Sequence, residues 1–245
     1  MLKDLHTHTA YCDGAASPEE MIKAAIVRGL TAIGISGHSY TSFDTSYCMS
    51  LDDIPRYIAE MRWLRAKYFD RIHVLCGVEQ DYYSDYPTDE FDYVIGSVHY
   101  LKFGDEYVPV DESPDILRAA ADKYFGGDIY SLCEEYYRTA ADVAERTGCD
   151  IIGHFDLITK FIEREPLFDT SHPRYIAAWQ AAADKLIEAG VPFEINTGAI
   201  SRGLRSEPYP SAEIREYIKE RGGSFTLSSD AHRPEHIAFG FEKYR

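Results

Sequence analysis

The stretch Leu2-Lys3-Asp4-Leu5-His6-Thr7-His8 sets the pattern on which the fold of this chain can be predicted. Its two histidines stand at alternate positions, and alternate residues of a β-strand point to the same side. A second run, Ala32–His38, reads Ala-Ile-Gly-Ile-Ser-Gly-His and also ends in a histidine. Because both runs are short, rich in apolar residues and followed by polar ones, we interpret them as buried strands.

Similar runs recur along the chain, with helical stretches between most of them. Ser17-Pro18-Glu19-Glu20 is typical of a helix start, with serine as N-cap and proline at the first position, and Gly29 suits the end of that helix. Alternation of strand and helix predicts a parallel sheet with crossover helices. The predicted strands are Leu2–His8, Ala32–His38, His73–Asp81, Tyr93–Leu101, Asp150–Phe155, Pro192–Thr197 and Ser224–Asp230, and the further predicted helices are Leu51–Phe69, Asp115–Tyr124, Tyr130–Thr147, Pro173–Ala189 and Ser211–Arg221.

Two architectures satisfy this alternation, an open doubly wound sheet and a closed (β/α) barrel. The glycine-rich phosphate loop that dinucleotide-binding open sheets carry after their first strand is missing here, which favours the barrel. A length of 245 residues fits one domain of this kind, and we expect residues 1–245 to form it. The hydrophobic fraction of 45% and the aromatic fraction of 13% argue against disorder.

Composition also excludes several classes of partner. The net charge of −16 repels phosphate backbones, so we expect no nucleic-acid binding. The sequence has no apolar run of about 18 residues, so we expect no membrane span. It has no recognisable secretory leader, and its five cysteines are scattered without a Cys-x-x-Cys pair, which predicts reduced thiols and a cytoplasmic location.

Six of the nine histidines stand at or just after the ends of predicted strands. In a parallel barrel these ends meet on one face, where active sites of this architecture are built. Burying so many polar groups without compensation would cost several kcal/mol, and metal ions supply the compensation. Imidazole and carboxylate ligands without thiolate suit Zn, Mn, Fe or Co. The predicted metal ligands, carboxylates included, are His6, His8, Asp13, His38, Glu79, His99, His154, Asp230 and His232.

In this order, the motifs resemble those of the PHP (polymerase and histidinol phosphatase) family of metal-dependent phosphoesterases, and within it the stand-alone histidinol-phosphate phosphatases. The resemblance spans residues 4 to 232. It rests on Asp4-Leu5-His6-Thr7-His8 with Asp13, Gly37-His38, Gly77-Val78-Glu79, Ser97-Val98-His99, Gly153-His154 and Ser229-Asp230-Ala231-His232.

The resemblance implies an α/β fold, a distorted (β/α)7 TIM-like barrel, with a trinuclear metal site of Zn, Mn or Fe. In the family pattern His6, His8, Glu79 and Asp230 hold the first metal, Glu79, His99 and His154 the second, and Asp13, His38 and His232 the third. The implied reaction is hydrolysis of L-histidinol phosphate, a step of histidine biosynthesis, with a metal-bridging hydroxide as nucleophile. Glu79, Asp230 and His232 are then the catalytic residues.

A phosphate substrate also needs positive charge at the mouth of an acidic protein. Arg202 and Arg205, in the loop after the sixth predicted strand, and Lys160, after the fifth, are the candidates, because a guanidinium fork matches phosphate oxygens. The polar stretches Tyr40–Ser50 and Lys102–Ser113 follow ligand-bearing strands, and we expect them to act as lids. A monomer or a small homo-oligomer fits the sequence equally well.

Three other functions are compatible with this pattern. The first is a phosphoesterase on the same scaffold that acts on another phosphorylated small molecule or on phosphotyrosine proteins. The second is a metal-dependent hydrolase of amide bonds, which usually relies on a bridging lysine, and no lysine ends a central predicted strand here. The third is an inactive metal-binding module, which the full set of nine ligand positions disfavours.

Overall fold

The computed structural model describes residues 2–244, in which seven parallel strands form a nearly closed barrel. The strands are β1 (Lys3–Asp4), β2 (Ala32–Ile35), β3 (His73–Asp81), β4 (Tyr93–Ser97), β5 (Tyr100–Phe103), β6 (Glu106–Pro109), β7 (Ile151–Ile152), β8 (Phe193–Asn196) and β9 (Phe225–Ser228). Their order in the barrel is β1-β2-β3-β4-β7-β8-β9, while β5 and β6 form a separate antiparallel hairpin. The predicted fold class is confirmed.

Helices on the outside connect the barrel strands. The first begins with a capping box, in which the Ser17 hydroxyl accepts from the Glu20 amide and the Glu20 carboxylate accepts from the Ser17 amide. The helices are α1 (Pro18–Val27), α2 (Asp53–Lys67), α3 (Pro114–Phe125), α4 (Ile129–Ala140), α5 (Val143–Thr147), α6 (Pro173–Glu188), α7 (Gly198–Ser201) and α8 (Ala212–Glu220), with 3₁₀ turns at Leu157–Thr159, Pro234–His236 and Phe241–Lys243. No helix within residues 2–244 is long and apolar enough to cross a membrane.

The main core lies between the helices and the outer face of the barrel. On α6 the buried residues Tyr175, Trp179 and Leu186 recur at helical spacing, which gives this helix one apolar face. Tyr57 of α2 ties its helix to the sheet, because its buried hydroxyl donates to the carbonyls of Ile35 at 2.6 Å and Gly77 at 2.9 Å.

A smaller apolar cluster fills the interior of the barrel. Tyr93 and Ile95 of β4 join Leu5 and other residues there, separately from the main core. The Tyr93 side chain approaches β2 and β3 so closely that a Cβ at Gly34 would lie 2.0 Å from its hydroxyl oxygen and a Cβ at Gly77 2.2 Å from its ring. The Tyr93 hydroxyl donates to the Leu5 carbonyl at 2.5 Å. Glycine at these two positions therefore makes room for the tyrosine inside the barrel.

The barrel closes where the first and last strands end. Thr7 and Ala231 form a parallel bridge, and the His8 amide donates to the Ala231 carbonyl at 2.9 Å. Asp4 is fully buried and accepts from the Ser229 amide at 3.0 Å. These contacts fix the chain around His6 and His8 against the segment that carries Asp230.

Several predicted elements are longer than the observed ones. The strand predicted at Leu2–His8 is β1 with only Lys3–Asp4, because beyond it the chain pairs through single bridges. The helix predicted at Tyr130–Thr147 is two helices, α4 and α5. The run Tyr93–Leu101 divides into β4 and β5, since residues from Tyr100 onward turn away to pair antiparallel with β6.

Candidate metal centre

The carboxyl ends of the barrel strands surround one cavity of about 560 Å³. Glu79 and His154 lie at its closed end, 1% and 3% exposed, whereas the Asp13 and His232 side chains are 33% and 23% exposed nearer its mouth. The cavity is therefore a cleft on the face where the strands end, as the sequence predicts.

Glu79, on β3, lies at the centre of the cluster. Its Oε2 atom is 3.1 Å from His6 Nε2, 3.5 Å from His8 Nε2 and 3.0 Å from His38 Nδ1. These histidines come from the ends of the first two predicted strands, which precede β3 in the order of the barrel, with β2 next to β3. One carboxylate oxygen thus faces three imidazoles from two neighbouring chain segments.

The other oxygen of Glu79 faces the opposite side of the cluster. Its Oε1 atom lies 2.8 Å from His154 Nε2 and 3.4 Å from His99 Nε2, and it accepts a hydrogen bond of 2.6 Å from the Ser97 hydroxyl. Because its two oxygens contact different histidines, the geometry of Glu79 suits a bridging ligand.

Asp13 forms a second centre nearer to the cavity mouth. Its carboxylate lies 3.6 Å from His8 Nδ1, 3.7 Å from His38 Nε2 and 3.0 Å from His232 Nε2. The His8 ring stacks on the His232 ring with a centroid distance of 4.2 Å. Four predicted ligands therefore converge at this point.

Asp230 contacts His6 and His8 through one carboxylate oxygen and accepts from other residues through the second. Its Oδ1 atom lies 3.3 Å from His8 Nε2 and 3.9 Å from His6 Nε2. Its Oδ2 atom accepts from Arg202 at 3.0 Å, with the Asn196 amide at 3.4 Å. Asp230 has a φ of +49°, a conformation that few non-glycine residues adopt and that occurs often at functional sites.

The donor set fits divalent cations. His6 Nε2, His8 Nε2 and Glu79 Oε2 are shielded from water and have no hydrogen-bond partner within residues 2–244. Unsatisfied buried polar atoms are rare in proteins, and a cation accepts their lone pairs. Side chains whose donor atoms lie within 4.8 Å of one another form three groups: His8, Asp13, His38 and His232; His6, His8 and Glu79; and His38, Glu79 and His99. His154 and Asp230 contact members of these groups.

The electrostatics of His8 and Glu79 suit metal binding. Burial lowers the pKa of His8 to about 3, and the neighbouring imidazoles act in the same direction, so His8 is neutral near pH 7. Burial acts to raise the pKa of Glu79, but the surrounding imidazoles outweigh it and hold that pKa well below its usual range. A neutral imidazole and an ionised carboxylate are the forms that ligate metals.

The predicted phosphate-binding residues have different positions. Lys160 and Arg202 line the cavity, with Lys160 Nζ 2.8 Å from Asp111 Oδ2. The Arg205 side chain is 2% exposed and faces Asp156 at 3.6 Å and Glu163 at 3.9 Å, away from the cavity. The structure therefore does not bring Arg205 to the site, because these carboxylates already surround its guanidinium.

Two buried carboxylates near the site are absent from the predicted set. Glu194 accepts from His6 Nδ1 at 2.8 Å, and Asp81 lies 3.3 Å from His99 Nδ1. Glu194 stands between the apolar Phe193 and Ile195 inside a predicted strand, and Asp81 ends another predicted strand two positions after Glu79; these positions are the sequence signals that could have indicated them.

The two stretches predicted as lids meet above the cavity. Phe43 stacks on Tyr107 of β6 with a centroid distance of 3.8 Å, and Tyr100 of β5 donates to Asp44 at 2.6 Å. Tyr47 lines the cavity, with its ring centroid 4.9 Å from that of His38. An aromatic wall thus borders the predicted metal ligands.

Comparison with known proteins agrees with this geometry. The family model of the PHP domain matches residues 4–198. A Deinococcus radiodurans protein described as a probable histidinol-phosphatase is 31% identical over 98% of this chain and 90% of its own length.

Solved structures share the fold. The crystal structure of a candidate histidinol phosphatase from Listeria monocytogenes has a TM-score of 0.84 at 22% identity and covers 99% of this chain and 100% of its own. The structure of a Lactococcus lactis histidinol phosphate phosphatase, complexed with Zn, L-histidinol and phosphate, has a TM-score of 0.71 at 21% identity, with coverage of 95% and 87%.

Proposed function

The chain belongs to the PHP domain family, and from that membership we propose that it is a metal-dependent phosphomonoesterase that hydrolyses L-histidinol phosphate to L-histidinol and phosphate. The observation that carries this proposal is the cluster of imidazole and carboxylate donors around Glu79 at the closed end of one cavity. Relatives described as histidinol-phosphatases align with nearly the whole chain, which supports this substrate above other phosphomonoesters.

The proposed cofactor is three divalent ions of Zn, Mn or Fe. When bound, such ions lower the pKa of water and stabilise negative charge on a phosphoryl group. Glu79 suits the bridging role, because two of the three donor groups contain it. We assign the catalytic roles to Glu79, Asp230 and His232, and the full proposed ligand set is His6, His8, Asp13, His38, Glu79, His99, His154, Asp230 and His232.

Arg202 and Lys160 are the proposed phosphate-binding residues of the chain. Both line the cavity, and their side chains are 30% and 18% exposed. Arg202 has a second role in this proposal, because its guanidinium donates to Asp230 and so holds that carboxylate in place. A phosphate in the cleft would then lie between these cations and the proposed metal ligands.

The remaining wall of the cavity suits the rest of the substrate. L-histidinol carries an ammonium group and an imidazole, and Asp44, Asp111 and Glu112 line the cavity on the side of the aromatic wall. Carboxylates attract such cationic groups, and the Tyr47 ring offers a face for the imidazole. A phosphomonoester without these groups would lack this attraction.

Phosphate release from a panel of substrates tests the proposal. Protein loaded with Zn²⁺ or Mn²⁺ is expected to hydrolyse L-histidinol phosphate with a kcat/KM at least 100-fold above those of phosphotyrosine and p-nitrophenyl phosphate. A kcat/KM for phosphotyrosine equal to or above that for L-histidinol phosphate would contradict the proposed substrate and favour phosphotyrosine proteins instead. Release of ammonia from amides without release of phosphate would overturn the reaction class.

A substrate analogue tests the recognition of the ammonium group. The phosphate ester of 3-(imidazol-4-yl)propanol lacks only the amine of L-histidinol phosphate and keeps its phosphate and its imidazole. Wild-type protein is expected to prefer L-histidinol phosphate over this ester, and Glu112→Gln and Asp111→Asn are expected to reduce that preference. An unchanged preference in both variants would remove these carboxylates from the substrate-binding set.

The other parts of the proposal concern organisation and location. We propose a single domain over residues 1–245 and a monomer or small homo-oligomer that takes a small phosphorylated substrate and no nucleic acid. The five cysteines are free thiols, which supports the proposed cytoplasmic location.

A further inference from the structure

Glu194 is a carboxylate outside the proposed ligand set that lies directly behind it. The residue is on β8 and is 0% exposed. Its Oε2 atom lies 2.8 Å from His6 Nδ1, and its Oε1 atom accepts from the His154 amide at 2.6 Å and from the Asn196 side-chain amide at 2.8 Å. Two of these three partners are proposed metal ligands.

The position of Glu194 is an unfavourable one for a carboxylate. Its neighbour Phe193 is also 0% exposed, and removing a charge from water is costly unless a partner compensates. Packing alone would be served by an apolar residue of similar volume. The hydrogen bond to His6, a residue 188 positions away in the chain, is therefore the feature that explains a carboxylate here.

We propose that Glu194 is a positioning residue that fixes the orientation and tautomer of His6. With its Nδ1–H directed at Glu194 Oε2, the His6 ring presents the Nε2 lone pair to the site, 3.1 Å from Glu79 Oε2. Carboxylates that accept from the outer nitrogen of a ligating histidine orient the ring and make it a stronger ligand. This inference rests on the proposed role of His6 as a metal ligand.

Asn196 extends the same arrangement to a second proposed ligand. Its side-chain amide donates to Glu194 Oε1 at 2.8 Å and lies 3.4 Å from Asp230 Oδ2, while its carbonyl oxygen accepts from the Gly198 amide at 2.8 Å. Glu194 and Asn196 thus connect His6 with Asp230. Both of these residues are ligands of the first metal in the family pattern. Their placement on one strand keeps both ligands in a fixed relation.

Affinity for Zn²⁺, measured by competition with a chromophoric chelator in the absence of substrate, tests this role. Glu194→Gln keeps the size of the side chain and removes its charge, and it is expected to weaken the affinity of the most affected site 10- to 100-fold. Glu90→Gln makes the same chemical change at an exposed residue paired with Arg62 and is expected to leave affinity unchanged. An affinity for Glu194→Gln within twofold of wild type would overturn the inference.

A double-mutant comparison separates positioning from general support of the fold. If Glu194 acts through His6, then Glu194→Gln is expected to change Zn²⁺ affinity in the wild-type background but not in a His6→Ala background. An equal loss in both backgrounds would show a role that does not depend on His6. If the wild-type chain itself bound no Zn²⁺, the proposed function would fail instead, so the two failures are distinguishable.

A measurement on the wild-type chain keeps the inference testable even if the variants fold poorly. In ¹⁵N NMR spectra of the zinc-loaded protein, His6 is expected to show a protonated Nδ1 and a metal-bound Nε2. The reverse assignment, with Nδ1 bound and Nε2 protonated, would overturn the proposal.

Discussion

Replacing the central carboxylate is the sharpest test of the proposed metal centre. Glu79→Gln keeps the shape of the side chain and an acceptor for the Ser97 hydroxyl, but it removes the charge that faces five imidazoles. At about 4 Å and an effective dielectric constant of about 20, a unit charge gains about 4 kcal/mol from a carboxylate. For a divalent ion the gain is about 8 kcal/mol. Losing even half of it, about 4 kcal/mol, would weaken the metal affinity roughly a thousandfold.

The assay is metal content by mass spectrometry after dialysis, together with phosphate release from L-histidinol phosphate. Glu79→Gln is expected to lose bound metal and turnover while its far-UV circular dichroism stays that of a folded barrel, because the apolar core lies elsewhere. Glu90→Gln, an exposed residue far from the cleft, serves as the matched control and is expected to behave as wild type. Full metal content and a wild-type rate in Glu79→Gln would refute the reasoning.

Three further outcomes follow from the geometry. Arg205→Met leaves the buried Asp156 without its charge partner, so the free energy of unfolding in urea is expected to fall by about 3–5 kcal/mol. The KM of the folded enzyme is expected to stay unchanged, and a raised KM would show that Arg205 binds the phosphate. Tyr57→Phe removes hydrogen bonds to the carbonyls of Ile35 and Gly77 and is expected to lower the same free energy by about 1–3 kcal/mol; an unchanged midpoint would contradict this. Dipicolinate is expected to abolish phosphate release reversibly, with Zn²⁺ or Mn²⁺ restoring it; activity that survives complete metal removal would exclude the metal mechanism.

The barrel and the cluster could be predicted because their signals are periodic and local. Each strand end carries its polar residue a few positions after an apolar run, so the order along the sequence maps directly onto one face of the barrel. The convergence of His6, Glu79 and Asp230 then follows from topology alone. No knowledge of side-chain contacts is needed for this step.

The supporting residues could not be predicted in the same way. Glu194 and Arg205 are defined by partners that the fold brings together from distant segments, His6 for the first and Asp156 for the second. The charge of Arg205 and its place in a polar loop suggested a phosphate ligand, whereas its burial, which decides its role, depends on tertiary packing.

The sequence contains a turn motif that indicates the hairpin of β5 and β6, but the strand pattern favoured a different interpretation. Gly104 and Asp105 form a two-residue turn between the strands, and Gly104 has a φ of +63°. A glycine followed by an aspartate between two β-rich segments is a hairpin signature. The continuous apolar run Tyr93–Leu101 favoured one long strand over this interpretation.

The packing of Tyr93 inside the barrel has a consequence for how the products of the proposed reaction would leave. With that side chain packed against Gly34 and Gly77, the interior of the barrel beneath the proposed metal ligands is filled, so the cleft is closed at that end. The phosphate would bind at the closed end and the alcohol towards the mouth, where it blocks the exit. Release would then be ordered, with L-histidinol first and phosphate last, and inorganic phosphate would compete with the substrate for the free enzyme.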